Sequence, residues 1–351
     1  MAAYIETTYR NPVIEEVWAD PALAGPDDEG WYWCYATDDE HEPPPARRFK
    51  VARSRDLVRW ETDPPGTEAG AIPRPIPNQG RYRACWAPDV RRLGQRRWVL
   101  YGSLKFDDHA ETGEAGHGII AAHSAGPTGF ADPVVLRRGP GFTAIDPCFF
   151  RSRALGKDFL YWGSGHAPIL GQELRADAMG FAPGSAPRAV LAPGPADPEA
   201  HLWEGVHVIE RPGDDGAGGL IMLASGVCTW TGPYRVLAFL GGPHPLDPFR
   251  RLVGRAPVLR ENATWNRCGQ AFVMCDAIGQ HWIFYHAVRG DAVIPGTEDV
   301  EITGASGRRH GVPLRQMCMD RLLFDAQGLP YVVGGSPSLG LRTGPVVRRW
   351  A

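Results

Sequence analysis

The chain has very little lysine, no long apolar run and no paired cysteines. Of 37 basic residues only Lys50, Lys105 and Lys157 are lysines, the rest arginines. The 40 acidic residues slightly outnumber them, giving a net charge of −3 and a pI near 6.4. No basic surplus therefore points to nucleic acid or an anionic membrane surface as a partner. No apolar stretch approaches the roughly 18 residues that a membrane helix requires. The opening residues, MAAYIETTYRNPVIEEVWADP, lack the basic start and apolar core of a secretion signal, so a cytoplasmic location is expected. Cysteines 34, 85, 148, 228, 268, 275 and 318 are odd in number, never spaced C-x-x-C, and often inside apolar runs. They read as buried free thiols rather than a zinc site. Long segments of 3.6-residue periodicity are also missing, which argues against a helical architecture.

What is present is β-forming and repetitive. The chain carries 43 glycines, 33 prolines and 12 tryptophans among many short apolar runs, the pattern of an all-β protein. Five strand-like segments share an aromatic or aliphatic core and mostly a small-residue ending: WYWCYAT (31–37), RWVLYGS (97–103), DFLYWGS (158–164), LIMLASG (220–226) and HWIFYHA (281–287). Each follows a segment with a polar residue amid apolar ones: WADPAL, WAPDVRRL, IDPCFF, WEGVHVI and CGQAFVM. Each precedes a third strand, at 48–54, 118–124, 168–174, 234–240 and 315–321, then a turn and an aromatic: DLVRW, GPTGF, AMGF, LDPF and, less similar, LLF. Four strands repeated five times predict a five-bladed β-propeller, a single domain over residues 1–351.

In a propeller the first strand of every blade lines the axis and runs in the same direction, so equivalent positions converge at one end. The marked residues in phase with the repeat are Asp20, Asp89, Asp146, Glu204 and Gln270, of which Asp20, Asp146 and Glu204 align as carboxylates. Three converging acids repel one another, so at least one has a raised pKa. Glycoside hydrolysis needs that arrangement: a protonated acid and an ionised base flanking one bond. Trp203 and apolar neighbours around Glu204 favour its protonated form. Pro21 and Pro147 are expected to hold Asp20 and Asp146 extended.

Around these residues the sequence resembles a known family. NPVIEEVWADPAL, AIDPCFF and WEGVHVI are similar to the three catalytic motifs of glycoside hydrolase family 43, five-bladed inverting enzymes acting on arabinose- and xylose-containing glycans. WAPDV (86–90) and RQMCMDRLLFDAQGLP (315–330) extend the resemblance across nearly the whole chain. It implies Asp20 as the general base, Glu204 as the general acid, and Asp146 as the third acid that tunes and orients Glu204. Arg315 matches an arginine beside the base and the substrate. Trp86, Phe149, Trp162 and Trp203 are candidate pocket walls and His286 a candidate pocket residue, while Asp89 is read as an inter-blade structural residue.

One departure concerns metal. Many members carry Gly-His in the fifth blade, and in arabinanase-like members that histidine helps organise an axial calcium. Here Gln270 takes its place, a candidate substrate contact instead, and no required metal or other cofactor is expected. The implied substrate is an arabino- or xylo-oligosaccharide or polysaccharide, cleaved by release of a terminal pentose, α-L-arabinofuranosyl first and β-xylosyl second. Endo-arabinanase action is the alternative, and the long 290–314 stretch is expected to wall off one end of the cleft. A retaining fructan-type hydrolase is disfavoured, because it calls for Arg-Asp-Pro and Glu-Cys where this chain has Ile145-Asp146-Pro147 and Glu204-Gly205. A non-catalytic carbohydrate-binding propeller predicts neutral residues at one or more of the three acid positions.

Overall fold

The structure is a computed structural model that describes residues 4–42, 45–76, 84–106, 116–165, 167–192, 202–212, 219–252, 254–304 and 307–350. After a short strand β1 (Tyr4–Tyr9) the chain forms successive antiparallel sheets. Blade one holds β2 (Ala22–Ala24), β3 (Tyr32–Ala36), β4 (Lys50–Ser54) and β5 (Glu61–Thr62). Blade two holds β6 (Cys85–Gly94), β7 (Arg97–Phe106), β8 (Gly116–Ser124) and β9 (Ala131–Pro140). Blade three holds β10 (Cys148–Ser152), β11 (Lys157–Trp162), β12 (Ile169–Glu173) and β13 (Arg188–Leu191). Blade four holds β14 (Trp203–Glu210), β15 (Leu220–Val227), β16 (Tyr234–Gly241) and β17 (Arg250–Arg251). Blade five holds β18 (Trp265–Cys275), β19 (His281–Val293) and β22 (Pro313–Arg321), with a side hairpin of β20 (Glu301–Gly304) and β21 (Gly307–His310).

First strands touch first strands around the molecule: β2 with β6, β6 with β10, β10 with β14, β14 with β18, and β18 again with β2. That closed sequence makes the sheets a five-bladed propeller. Each pair of neighbouring blades encloses one apolar cluster, so five clusters complete the ring. Residues alternate between clusters along a second strand. Phe159 and Tyr161 face blade four, whereas Leu160 and Trp162 face blade two. Burial on both faces is why these strands read as continuous apolar runs rather than half-polar alternations.

Blade five departs from the sequence expectation. Its fourth strand was expected at the LLF segment, but β23 (Leu323–Phe324) pairs with β24 (Pro330–Tyr331) in a separate small sheet. The outer position beside β22 is taken by the N-terminal segment. Val13 N donates to Met317 O at 2.8 Å, Met317 N to Ile14 O at 3.2 Å, and Trp18 N to Arg315 O at 2.7 Å. The chain start thus closes the last blade, and β1 then pairs with β25 (Arg342–Arg348) from the chain end.

A buried polar knot fastens this closure. Tyr9 Oη donates to Asp320 Oδ1 at 2.8 Å, while Tyr285 Oη and Asn11 Nδ2 donate to Asp320 Oδ2 at 2.6 and 3.1 Å. Asn11 also accepts from Met319 N at 2.9 Å and donates to Met319 O at 3.0 Å. The cysteines are free thiols, six of them buried and Cys275 exposed.

Removing the Asn11 amide leaves the buried Met319 N–H without an acceptor. Asn11→Ala is therefore expected to destabilise the fold by about 2–4 kcal/mol in urea unfolding. A change under about 0.5 kcal/mol, the range of an ordinary surface substitution, would show that the knot does not hold the closure.

Candidate active site

Each blade carries, just before or within its first strand, a residue in the left-handed region: Asp20 (φ 56°), Ala87 (46°), Asp146 (55°), Gly205 (58°) and Gln270 (53°). Bulges accompany several of them. The β6–β7 register shifts between Trp86 and Asp89, β14–β15 between Glu204 and His207, and β18–β19 on either side of Gly269. Such bulges turn side chains out of the regular alternation and toward the axis. Two sequence expectations are corrected here. Asp20 and Asp146 are not extended before their prolines; they are left-handed, a conformation that aspartate tolerates better than most residues. The repeat position itself is Ala87 in blade two and Gly205 in blade four, so Glu204 reaches the site from one residue earlier.

These strained residues are held by the preceding blade. Ala87 N donates to Thr37 Oγ1 at 2.9 Å, Asp146 N to Ser103 Oγ at 2.9 Å, and Gln270 N to Ser225 Oγ at 2.8 Å. The ring closes where Asp20 N donates to His286 Nδ1 at 3.2 Å. Gly205 N donates instead to Asp146 Oδ2 at 3.0 Å. Glycine suits 205, where φ is +58° and a Cβ, 2.1 Å from Gln270 Oε1, would force that side chain to move. Sequence reasoning missed Thr37, Ser103, Ser164 and Ser225. Their signal was the polar residue near the end of each second strand, which was read only as a small-residue ending.

Asp20, Asp146 and Glu204 open into a cavity of about 420 Å³, which Trp86, Phe142, Trp230, Tyr234, Gln270, Arg315 and the β20–β21 hairpin also line. That volume falls in the ordinary range for a small-ligand site. Trp86 stacks on His117 at 4.7 Å between ring centroids, and His117 on Phe142 at 5.1 Å. Phe142 is half exposed at the rim and was not anticipated from the sequence.

The three acids sit in different electrostatic surroundings. Burial alone would raise the pKa of Asp20, but the Arg315 cation, with the Thr37 hydroxyl, outweighs it. Arg315 Nη1 lies 3.2 Å from Asp20 Oδ1, His286 Nδ1 lies 3.1 Å from the same oxygen, and Thr37 Oγ1 donates to Oδ2 at 2.5 Å. The carboxyl is held well below the usual carboxylate range. Arg315 is itself buried and stacks on the Trp230 ring at 4.8 Å. Burial keeps His286 neutral. With Nδ1 accepting from the Asp20 amide, the neutral ring carries its hydrogen on Nε2, which donates to Thr229 Oγ1 at 3.1 Å.

Asp146 and Glu204 show no ion pair among the described residues and are both pushed up, first by burial. Asp146 is raised further by Glu204 and by Asp20; Glu204 is raised by Asp20 against the hydrogen bond from Ser164. Glu204 was expected to be the one acid favouring a proton. The structure assigns that tendency to the Asp146–Glu204 pair, because both lose water and each disfavours ionisation of the other.

Of the candidate walls, Trp86, Gln270 and Arg315 reach the cavity with the acids. Phe149, Trp162 and Trp203 do not. Phe149 and Trp162 belong to the core between blades two and three, and Trp203 packs edge-on against Phe239 between blades three and four. Strand alternation directs all three into sheet interfaces. His286 stands behind Asp20 with no exposed surface, so it contacts the acid and not a ligand. Asp89 accepts the Phe149 amide hydrogen at 2.7 Å, a link from blade two to blade three. Among the described residues no group of three or more His, Cys, Asp or Glu is arranged to hold a metal ion.

Comparison with known proteins places this geometry. No curated protein matches the chain. Among solved structures it is similar to a thermostable family-43 glycoside hydrolase, with 23% identity, a TM-score of 0.69, and 96% of this chain and 99% of that chain covered. It is also similar to the GH43 BlXynB protein from Bacillus licheniformis, with 18% identity and a TM-score of 0.69; that match takes 97% of this chain but only 59% of that one. An exo-1,5-alpha-L-arabinanase from a bovine ruminal metagenomic library matches with 15% identity and a TM-score of 0.66, over 91% of this chain and 97% of that chain. At these identities the likeness is one of fold. The family model for glycosyl hydrolases family 43 matches residues 9–330, and the chain belongs to that family.

Proposed function

We propose that the protein is an inverting glycoside hydrolase that removes a terminal pentose from arabino- or xylo-oligosaccharides, an α-L-arabinofuranosyl unit first and a β-xylosyl unit second. The observation that carries this reading is the division of protons across one cavity. Asp20, fixed beside Arg315, is a carboxylate over the whole physiological range. The Asp146–Glu204 pair, without such a cation, retains a proton to higher pH. Inverting hydrolysis uses such a division. Asp20 takes a proton from water as the water oxygen bonds to the anomeric carbon. Glu204 gives its proton to the glycosidic oxygen as that carbon–oxygen bond breaks. Asp146 keeps Glu204 protonated beforehand and orients it through the Gly205 amide.

Action at a chain end is supported by the β20–β21 hairpin. Its residues Glu301, Ile302, Thr303 and Gly304 wall the cavity. Gly304 packs so tightly on the blade-four turn that a Cβ would lie 2.5 Å from Thr231 Oγ1 and 2.9 Å from Cys228 Sγ. The Trp86–His117–Phe142 stack offers an apolar surface suited to a sugar face. We also propose that turnover needs no metal, since Gln270 replaces a histidine and His286 is already bound to Asp20 and Thr229.

Asp20→Asn and Glu204→Gln should each lower kcat by about 10²- to 10⁴-fold on unactivated oligosaccharides, with melting temperature preserved; unchanged turnover in either refutes the assignment. The first-formed sugar, followed by proton NMR, should have inverted configuration, and retention would contradict the mechanism. In the kcat/KM profile the ascending limb should lie below the ordinary carboxylate range and the descending limb above it, because Asp20 must be ionised and the pair must hold its proton. Chelation by EDTA should leave kcat/KM unchanged. Loss of activity that calcium restores would overturn the metal-free reading.

A further inference from the structure

The inter-blade ring is broken at one place, and the break falls on Glu204. In the other blades the polar residue near the end of the second strand, Thr37, Ser103, Ser225 or His286, accepts the amide hydrogen of the next blade's left-handed residue. Ser164 is the blade-three counterpart, yet the Gly205 amide donates to Asp146 Oδ2 at 3.0 Å. The Ser164 hydroxyl, only 2% exposed as a residue, donates to Glu204 Oε2 at 2.6 Å. The two departures belong together. Asp146 takes over the acceptor's place, which releases the serine for a different partner. A hydroxyl has one hydrogen, and here it is spent on Oε2. The carbonyl oxygen of a protonated carboxyl is the better acceptor, so an oxygen that receives a hydroxyl hydrogen bond is favoured as the one without the acid's proton.

We propose that Ser164 is a positioning residue for glycosidic cleavage: it occupies Oε2 of Glu204, so the transferable proton resides on Oε1. This rests on the glycosidase reading above. In the step, the Oε1–H bond breaks, the proton passes to the glycosidic oxygen, and that oxygen departs from the anomeric carbon with the bonding electron pair. Glu204 becomes a carboxylate, and the Ser164 bond strengthens as charge develops on Oε2. A bond stronger in the transition state than in the ground state acts on kcat more than on KM. The charged and titratable groups facing Glu204 are Asp146, Asp20, Arg315 and Tyr234. Tyr234 stays protonated and acts on the same carboxyl, so Ser164 is separable only by its own substitution.

The test compares wild type, Ser164→Ala and Ser164→Thr on the methyl and 2,4-dinitrophenyl glycosides of whichever pentose the wild type hydrolyses. Methoxide must be protonated to leave, whereas dinitrophenolate leaves without a proton. Ser164→Ala should lose about 10- to 100-fold in kcat on the methyl glycoside, the worth of a charge-assisted hydrogen bond. On the dinitrophenyl glycoside it should lose less than about threefold, well inside that hydrogen bond's worth, with KM unchanged on both. The descending limb of its pH profile should move to higher pH, because a donor to the ionised carboxyl has been removed. Ser164→Thr should recover most of the loss, since Thr37 fills the same place in blade one. Equal losses on the two substrates would show a merely structural role, and no loss on the methyl glycoside would likewise overturn the proposal. A wild type that turns over neither glycoside while Asp20→Asn is equally inert would sink the glycosidase reading first, and this inference with it.

Discussion

The amide-to-side-chain hydrogen bonds that link each blade to the next hold the active end of this propeller in shape. Five residues, Asp20, Ala87, Asp146, Gly205 and Gln270, adopt a backbone conformation that costs non-glycine residues about 1–2 kcal/mol each. Each has its N–H captured by a side chain of the blade before it. A net hydrogen bond of about 1 kcal/mol roughly offsets that strain. The apolar clusters between blades supply the stability. The ring supplies the aim of the carboxylates.

The same ring distributes charge. Thr37 takes the Ala87 amide and gives its hydrogen to Asp20, so one hydroxyl both fixes blade two and stabilises an anion in blade one. His286 closes the ring at Asp20 and stays neutral because it is fully buried. Arg315 is delivered from β22, the strand that the N-terminal segment locks in place through Trp18 N and Arg315 O. Blade closure and the ionisation of Asp20 therefore depend on the same strand. On the far side, Asp146 accepts one amide hydrogen and faces Glu204 with no ion-paired cation among the described residues, which is why the pair as a unit holds its proton more tightly.

The sequence carried the blade count, the strand order and the three acids, because both faces of every blade are buried and the apolar runs recur in phase. It did not carry the register at the cavity end. Ala87 and Gly205 hold the left-handed positions, but Asp89 and Glu204 are the polar residues that catch the eye, and a bulge between such neighbours leaves no mark in composition. The aromatic walls failed for a related reason. Phe149, Trp162 and Trp203 sit beside site residues in the chain, yet alternation turns each into an inter-blade core. Phe142 was overlooked because it lies in a loop with no repeat counterpart. The fourth strand of blade five could not be found downstream of β22, since residues more than 290 positions earlier provide it, as Trp18 bonded to Arg315 shows.

The central claim is that one cavity holds an acid ionised well below the usual carboxylate range and a pair of acids that keeps a proton above it. Carboxyl carbon-13 NMR on aspartate- and glutamate-labelled protein, with Asp20→Asn, Asp146→Asn and Glu204→Gln for assignment, measures it directly. The account predicts that Asp20 stays ionised well below the ordinary carboxylate value near 4. It predicts that Asp146 and Glu204 titrate above the ordinary carboxylate range, and that neutralising either one brings the other's titration down toward that range. Three independent titrations clustered near pH 4, unaffected by one another's substitution, would contradict it.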